Sequence, residues 1–296
     1  MNMDKKDELL LQTFCDERGL KDVTKKSYTT AIGLYCRYNK MPFHELLDEA
    51  EQEERDDVKW KRSKLRARLL GFRNDLQQKG HLANTVKAYT SRVRTVYEEG
   101  FDIEIGRMPK INQKNVKKPH PISYNDLPDK ELLRHILKMV NPLMKAIILF
   151  MTSSGCAKRE TRNITVQDFI DATYDYHHKD NIEDVIEVLH GRDDVVPSWR
   201  LRCQKTNKYY TTFSSPESTM EIIHYLVISE RELESSSPLF NITSTHLNNT
   251  FGKINNKLGL GKAGAYNRFR SHMLRKFHAS QLYNDGLGMD EIGELQ

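Results

Sequence analysis

Apolar residues recur every three or four positions along the first hundred residues, the spacing of an α-helix with one buried face. Glycines at positions 19, 80 and 100 interrupt the pattern, and glycine commonly ends helices. The pattern predicts helices over 4–40 with a break at Gly19, and over 43–54, 58–80 and 84–99. We therefore expect this part of the chain to form an all-helical domain.

Two of these predicted helices begin with similar sequences, which start at Thr24 and at Thr85. A threonine at a helix start can cap the free backbone N–H groups with its hydroxyl. The same N–H groups, with Lys25, Lys26 and Lys87 beside them, can instead bind a phosphate. The sequence leaves both interpretations open.

The pattern changes after residue 105. Residues 106–121 are rich in proline and lysine and contain no acidic residue, which is typical of a basic linker. Helical spacing then returns over 128–137, 142–151, 216–227, 244–258 and 271–283. Clusters of β-branched and aromatic residues predict short strands over 185–189, 199–203 and 209–213, with a turn at Asn207.

The predicted fold class is therefore mainly α. It comprises an N-terminal helical domain (1–105), the linker (106–121) and a mainly helical C-terminal domain (122–296) with a small antiparallel β-sheet.

Composition excludes some classes of protein. The chain has 296 residues, of which 38% are hydrophobic and 29% charged, and no apolar run approaches the ~18 residues of a membrane span. Its four cysteines lie far apart without a C-x-x-C pair, which argues against a disulfide framework or a cysteine-rich zinc site. We therefore expect a cytoplasmic protein that does not associate with membranes.

The positive charge is concentrated in the first half. Residues 1–121 carry 25 Lys/Arg and 19 Asp/Glu, a net charge of +6, whereas residues 122–296 carry 21 and 22, a net charge of −1. Segment 59–73 alone has seven basic residues and no acidic residue. A calmodulin-target helix or a membrane-surface helix has the same pattern, but its place inside a helical domain favours nucleic acid. The candidate DNA contacts are Lys25, Lys26, Lys59, Lys61, Arg62, Arg66, Arg68, Lys87, Arg92, Lys114, Lys117 and Lys118.

Two short motifs resemble cofactor or metal sites, but the sequence around them does not support that function. Residues 259–264 satisfy G-x-G-x-x-G, but a helical pattern precedes them where a dinucleotide fold requires a strand, so a flexible connector between helices is predicted. His177 and His178 lack the spacing of metal ligands and are assigned to a polar loop. No cofactor and no metal is predicted.

One predicted helix carries candidate chemistry. His272 and Arg275 are three residues apart within 271–283 and therefore share a helix face. An arginine can donate two N–H groups to phosphate oxygens, and a histidine can transfer a proton or donate to phosphate. A solvated helix face is the alternative interpretation of this pair.

Three segments together resemble a known family. The sequence Ser271-His272-Met273-Leu274-Arg275-Lys276-Phe277 resembles the second signature box of the tyrosine recombinases, the phage-type integrases. Residues 149–160 resemble the first box, and 202–208 resemble the β-hairpin that presents the family's catalytic lysine, here Lys205. The amino-acid sequences of these segments are most similar to those of integrases of mobile elements in methanogenic archaea.

The resemblance implies a fold, a reaction and a partner. The N-terminal helices would form the family's core-binding domain, and the two domains would close around duplex DNA. A tyrosine would attack a DNA phosphate, giving a 3′-phosphotyrosyl link for site-specific recombination without a cofactor, and copies of the protein would assemble on DNA as a dimer or tetramer.

The resemblance also implies roles for particular residues. Arg275 would bind the phosphate oxygens, His272 would move a proton or bind phosphate, and Lys205 would act as acid towards the leaving oxygen. The family's first-box arginine falls on Ala157, so Lys158 or Arg159 would replace it.

The nucleophile is the main departure from the family pattern. The family places its tyrosine further beyond the second box than this sequence extends, since only 21 residues follow Arg275. Tyr283 is the sole tyrosine among them and is expected to be a packing residue. We therefore expect the given sequence to stop before its nucleophile and to bind DNA without cleaving it. The alternatives are a non-catalytic DNA-binding accessory protein or inactive integrase relative and, less well supported because no suitable carboxylate cluster occurs, a metal-dependent nuclease.

Overall fold

A computed structural model of the chain describes residues 3–110, 119–203 and 206–295. The chain divides into two units, Met1–Pro119 and His120–Gln296. Half of the predicted linker, residues 111–118, lies outside the described residues. Among the described residues, no helix is both long and apolar enough to cross a membrane.

The first unit is built from helices, as the periodicity predicts. Gly19 has φ +57° and separates the first two helices, which confirms the predicted break. The α-helices of this unit are α1 (Lys5–Glu17), α2 (Asp22–Asn39), α3 (Phe43–Arg55), α4 (Lys64–Gln78) and α5 (Ala83–Gly100).

The predicted helix over 58–80 is wrong at its start. Trp60–Arg62 form a separate single turn of 3-10 helix, and α4 begins only at Lys64. The reason is local, because the Ser63 hydroxyl accepts a hydrogen bond from the Arg66 N–H at 2.9 Å and so caps the helix there.

The core of the first unit is aromatic. The ring of Tyr35 lies 5.3 Å from that of Phe72 and 6.2 Å from that of Tyr97, and Phe43 lies 5.4 Å from Tyr97. All three contacts are edge-to-face, the arrangement that aromatic quadrupoles favour. These rings join α2, α3, α4 and α5.

A buried carboxylate supplies the cap that α3 lacks. The residue before α3 is Pro42, which has no side-chain group to accept a hydrogen bond. Asp7 of α1 instead accepts the backbone N–H groups of Phe43 at 2.7 Å and His44 at 2.9 Å, and it also lies 2.9 Å from the His44 ring. Asp7 is 1% exposed, and its bond to the Phe43 N–H is buried, so water cannot replace it there.

We predict that Asp7→Ala lowers the free energy of unfolding of the first unit by about 2–3 kcal/mol, because it leaves the buried Phe43 N–H and the partly buried His44 N–H without their acceptor. Urea denaturation of the full chain, followed by far-ultraviolet circular dichroism, measures this loss. Asp4→Ala is the matched control, since Asp4 caps α1 at an exposed position, and about 1 kcal/mol is expected there. Equal losses in both variants would show that Asp7 is an ordinary cap.

The second unit is mainly helical with small antiparallel pairs of strands. Its strands are β1 (Ser198–Arg202) paired with β2 (Tyr209–Phe213), and β3 (Lys262–Ala263) paired with β4 (Tyr266–Asn267). Its helices are α6 (Lys130–Leu137), α7 (Pro142–Ser154), α8 (Lys158–Asn163), α9 (Val166–Thr173), α10 (Ile182–Leu189), α11 (Pro216–Ile228), α12 (Ser244–Lys257), α13 (Ser271–Asn284) and α14 (Met289–Glu294).

Helix α7 is the centre of this unit and packs against both α11 and α13. Phe150 of α7 contacts the ring of Trp199 at 5.1 Å, and Phe169 of α9 stacks on the same indole at 6.0 Å. Trp199 is fully buried and its Nε1 donates to the Ser214 hydroxyl at 2.9 Å. The β1–β2 hairpin is therefore fixed to the helices by its inward face.

Two predictions for this unit are corrected. Residues 185–189, predicted as a strand, form the end of α10, because Asn181 caps that helix and Ile182, Val185 and Leu189 bury one face at helical spacing. The predicted flexible connector over 259–264 contains β3 and is held by buried Asn255, which donates to the Gly261 carbonyl at 3.1 Å and accepts the Phe269 N–H at 2.9 Å.

Candidate active site

Arg275 of α13 is held against the segment that joins α7 to α8. Its Nη1 donates to the Gly155 carbonyl oxygen at 2.9 Å and lies 3.7 Å from Oε2 of Glu160. Gly155 ends α7 with φ +68°, a conformation that glycine adopts without strain. The two segments that resemble the first and second signature boxes therefore meet at Arg275.

Glu160 joins three elements through one oxygen atom. Its Oε2 accepts the Ala157 backbone N–H at 2.9 Å and the Tyr210 hydroxyl at 3.0 Å, in addition to its contact with Arg275. Glu160 is 8% exposed. The start of α8, strand β2 and helix α13 are thus fixed by a single buried carboxylate.

The Tyr210 hydroxyl stays protonated and donates its hydrogen bond to Glu160. Burial, with the neighbouring Cys156 and Glu160, raises the pKa of Tyr210 well above its ordinary range, so its hydroxyl keeps its proton. The Cys156 sulfur lies 3.6 Å from that hydroxyl, and burial raises the pKa of Cys156 to about 11. Cys156 is therefore a neutral packing residue here, because only the thiolate is reactive.

The two candidates for the first-box cation lie at the start of α8. Lys158 is half-buried, and its Nζ donates to the Asn248 side chain of α12 at 3.0 Å. Arg159 is exposed. The choice between them stays a prediction.

His272 lies one turn before Arg275 on α13, as the sequence spacing predicts. Partial desolvation, together with the cations of Lys276, Arg270 and Arg275, lowers the pKa of His272 below its ordinary value. His272 is therefore neutral at neutral pH, and its ring presents one N–H donor and one acceptor.

Lys205 lies outside the described residues, and its catalytic role stays a prediction. The hairpin around it is described. The Cys203 N–H donates to the Lys208 carbonyl at 2.8 Å, and Asn207 has φ +63°, which confirms the predicted turn. Because β2 carries Tyr210, this hairpin is connected to Glu160 and, through it, to Arg275.

Three residues near Arg275 escaped the sequence analysis. Tyr210 was assigned only to a strand, and no local signal marks its partner fifty residues away. His278 follows Arg275 by three residues on the same helix, a spacing that was available as a signal, and burial lowers its pKa. Arg270, immediately before α13, is the third such residue.

The predicted DNA-contacting residues of the first unit differ in availability. Lys26, Lys59, Lys61, Arg62 and Lys87 are exposed, and Arg66 and Arg92 are half-buried. Lys25 pairs with Asp16 at 2.5 Å, and Arg68 pairs with both oxygens of Glu49 and donates to Asn39. Lys114, Lys117 and Lys118 lie outside the described residues.

Capping by Thr24 and Thr85, one of the two interpretations that the sequence leaves open, is not found in the structure. Helix α2 begins at Asp22 and α5 at Ala83, so Thr24 and Thr85 lie inside the first turns. Neither helix start has a side-chain cap. Of the two open interpretations, capping by these threonines is therefore excluded.

The two adjacent histidines do not form a simple polar loop. His177 is buried, with its Nε2 3.1 Å from the Thr173 hydroxyl, and burial lowers its pKa. Within the described part of the chain, no group of three or more His, Cys, Asp or Glu side chains is arranged to hold a metal ion.

No family model matches the sequence, and no curated protein matches it. Solved structures match it over almost its whole length. The Tn1549 transposon integrase in complex with transposon right-end DNA is 13% identical with a TM-score of 0.57, covering 97% of this chain and 89% of that chain.

Two further structures are similar. The XerH site-specific recombinase bound to palindromic difH substrate is 16% identical with a TM-score of 0.58, covering 96% of this chain and 76% of that chain. A lambda integrase dimer bound to a COC′ core site is 14% identical with a TM-score of 0.61, covering 97% of this chain and 73% of that chain. The mainly helical fold with a small antiparallel sheet is thus that of tyrosine recombinases, which confirms the predicted fold class.

We predict that the Tyr210–Glu160 hydrogen bond couples the hairpin to the arginine site. In a double-mutant cycle of Tyr210→Phe and Glu160→Gln, the two losses of unfolding free energy should depart from additivity by about 1 kcal/mol or more. Urea unfolding followed by Trp199 fluorescence, in a shared Trp60→Phe background, measures each corner of the cycle.

Tyr209→Phe with Glu160→Gln is the matched control, because Tyr209 directly precedes Tyr210 in β2 but is 67% exposed. That pair should be additive within about 0.5 kcal/mol. Additivity in both cycles would remove Tyr210 from the network.

Proposed function

We propose that the protein is a site-specific DNA recombinase of the tyrosine type. The observation that carries the proposal is the convergence of Gly155, Glu160 and Arg275 beside a β-hairpin, in a fold whose solved neighbours include a transposon integrase and XerH bound to DNA. Each part of the site belongs to a segment that resembles the family's motifs.

In the proposed reaction, Arg275 binds two oxygens of the DNA phosphate that is attacked. Its guanidinium is already oriented by the Gly155 carbonyl and by Glu160, so little conformational freedom is lost when the phosphate binds. Lys158 or Arg159 supplies a second cation from the start of α8. Neutral His272 donates to the phosphate or transfers a proton, and Lys205 protonates the leaving oxygen.

The reaction conserves bond energy. A tyrosine oxygen displaces the 5′-oxygen of the next nucleotide and forms a 3′-phosphotyrosyl link, and a free 5′-hydroxyl later reverses the step on a new strand. The proposal includes no cofactor. It places the protein in the cytoplasm on duplex DNA as a dimer or tetramer, in line with the lambda integrase neighbour, which is a dimer on its core site.

We propose that Tyr283 is not the nucleophile of this reaction. It lies eight residues beyond Arg275 on the same helix, about 12 Å along the axis, and is 61% exposed. An in-line attack requires the tyrosine oxygen about 3 Å from the phosphorus that Arg275 holds. The residues that follow within the described chain, 284–295, contain no tyrosine, serine or cysteine.

The alternative is a protein that binds DNA without cutting it. The position of Tyr283 favours this alternative for residues 1–296, and the arrangement of Arg275 with Glu160 favours the recombinase. The formation of a covalent adduct separates the two functions.

We predict that residues 1–296 bind duplex DNA but form no covalent adduct with it. The test first selects bound sequences from a random duplex library, then offers the selected site with a nick as a suicide substrate and resolves the products by denaturing electrophoresis. A shifted band that resists boiling and disappears in Tyr283→Phe would make Tyr283 the nucleophile and contradict the assignment. Absence of any sequence enrichment would contradict site-specific binding.

We also predict that the exposed cations of segment 59–73 contact the DNA backbone. Replacing Lys59, Lys61 and Arg62 together by Ala should lower affinity and reduce the slope of log K against log salt by about 2–3, because each phosphate contact contributes about 0.9. Fluorescence anisotropy titrations between about 50 and 200 mM salt measure this slope.

The matched control for that triple variant replaces Lys5, Lys6 and Lys79 by Ala, which removes the same charge from other exposed positions of the unit. Its slope should stay close to that of the parent. If both triples reduce the slope equally, segment 59–73 has no special place in binding.

A further inference from the structure

A cleft lies beside α13, separate from the Arg275–Glu160 contact. It has a volume of about 360 Å³ and is formed by α12, the β3–β4 hairpin and the start of α13. Its polar lining comes from Asn248, Lys262, Tyr266, Asn267, Arg270 and Ser271. Among the described residues that line it, none is acidic.

Arg270 is oriented within this cleft before any ligand binds. Its guanidinium lies over the ring of Tyr266, 4.9 Å from the ring centre, and its Nη1 donates to the Asn267 carbonyl at 2.7 Å. A cation stacked on an aromatic face is held in place without being neutralised. The remaining N–H groups of a guanidinium can then meet an anion with little loss of conformational freedom.

Arg270 also lacks a counter-charge. No carboxylate in the described part of the chain forms an ion pair with it, whereas Arg275 pairs with Glu160 and Arg192 pairs with Asp194. Partial burial lowers the pKa of Arg270, although a guanidinium stays charged. A partly desolvated cation without a carboxylate partner is stabilised by an anionic ligand.

The rim of the cleft is also positively charged. Lys262 on its rim is exposed, and Asn248 connects the cleft to Lys158 through a 3.0 Å hydrogen bond. The base of the cleft is apolar and closely packed, since Phe251 and Phe269 are buried with their ring centres 5.3 Å apart. The cleft therefore offers cations and amides at its mouth and no carboxylate that would repel an anion.

We propose that this cleft binds a second backbone phosphate of the DNA, with Arg270 as its main ligand and Lys262 as a supporting cation. The inference rests on the proposed function, because it assumes that duplex DNA lies over α13. It assigns to the Arg270–Tyr266 pair the task of fixing the DNA strand next to the phosphate held by Arg275.

The spacing along α13 suits such a role. Ser271, which follows Arg270, lies four residues before Arg275, about 6 Å along the helix axis. Successive phosphates of one DNA strand rise about 3.4 Å along the duplex. The proposal therefore places the second phosphate on the DNA strand near the first.

The test compares salt dependence of duplex binding in the parent, Arg270→Ala, Arg270→Lys and Tyr266→Ala. Arg270→Ala should reduce the slope of log K against log salt by about 0.9, which is one phosphate contact. Arg270→Lys should keep the slope while weakening binding, because a lysine retains the charge but not the stacked fork. Tyr266→Ala should weaken binding with the slope unchanged.

Lys179→Ala is the matched control, since Lys179 is an exposed cation of the same unit that does not line the cleft. Its slope should equal that of the parent. Thermal melting of each variant verifies folding, and Arg270→Lys keeps the test decisive if Arg270→Ala does not fold.

The outcomes separate this inference from the proposed function. A parent that does not bind duplex DNA would contradict both. If the parent binds but Arg270→Ala leaves the slope unchanged, or Lys179→Ala reduces it equally, only the assignment of the cleft to a second phosphate would be overturned. Calorimetry with inorganic phosphate forms a second arm, and phosphate binding that is lost in Arg270→Ala while the duplex slope persists would assign the cleft to a free anion and overturn its role on DNA.

Discussion

One carboxylate oxygen holds the candidate site together. Oε2 of Glu160 accepts hydrogen bonds from the start of α8 and from Tyr210 of β2, and it lies 3.7 Å from the Arg275 guanidinium of α13. These three elements are far apart in the sequence, and each approaches Glu160 with a polar group that needs a partner when buried. The position of Arg275 therefore depends on the hairpin as well as on its own helix.

This dependence gives Arg275 a structural contact in addition to its proposed role at the phosphate. The family resemblance of the sequence assigns Arg275 only to the phosphate oxygens. The hydrogen bond to the Gly155 carbonyl shows that Arg275 also ties α13 to the end of α7. Removing one partner from a buried charged pair is costly because the other charge remains without compensation. A substitution at Arg275 is therefore expected to change folding as well as the proposed binding of phosphate.

The sequence predicts the elements better than their ends and contacts. Helical periodicity locates most of the long helices, because their apolar stripes repeat over several turns. The short segment 185–189 was misassigned, because five residues are too few to separate strand from helix, and the cap at Asn181 lies outside it. Similarly, His272 and Arg275 are found by spacing, whereas Tyr210 meets Glu160 only through tertiary structure.

Charge counts overstate what is available to bind DNA. Segment 59–73 owes part of its positive charge to Arg68, yet both oxygens of Glu49 pair with that guanidinium, which also bonds to Asn39. Lys25 is similarly held by Asp16. Arg270, in a half of the chain with net charge −1, lies on an aromatic ring with no carboxylate pair among the described residues. Since release of counterions from DNA depends on cations that reach phosphate, we expect local pairing to decide the proposed DNA interface more than net charge does.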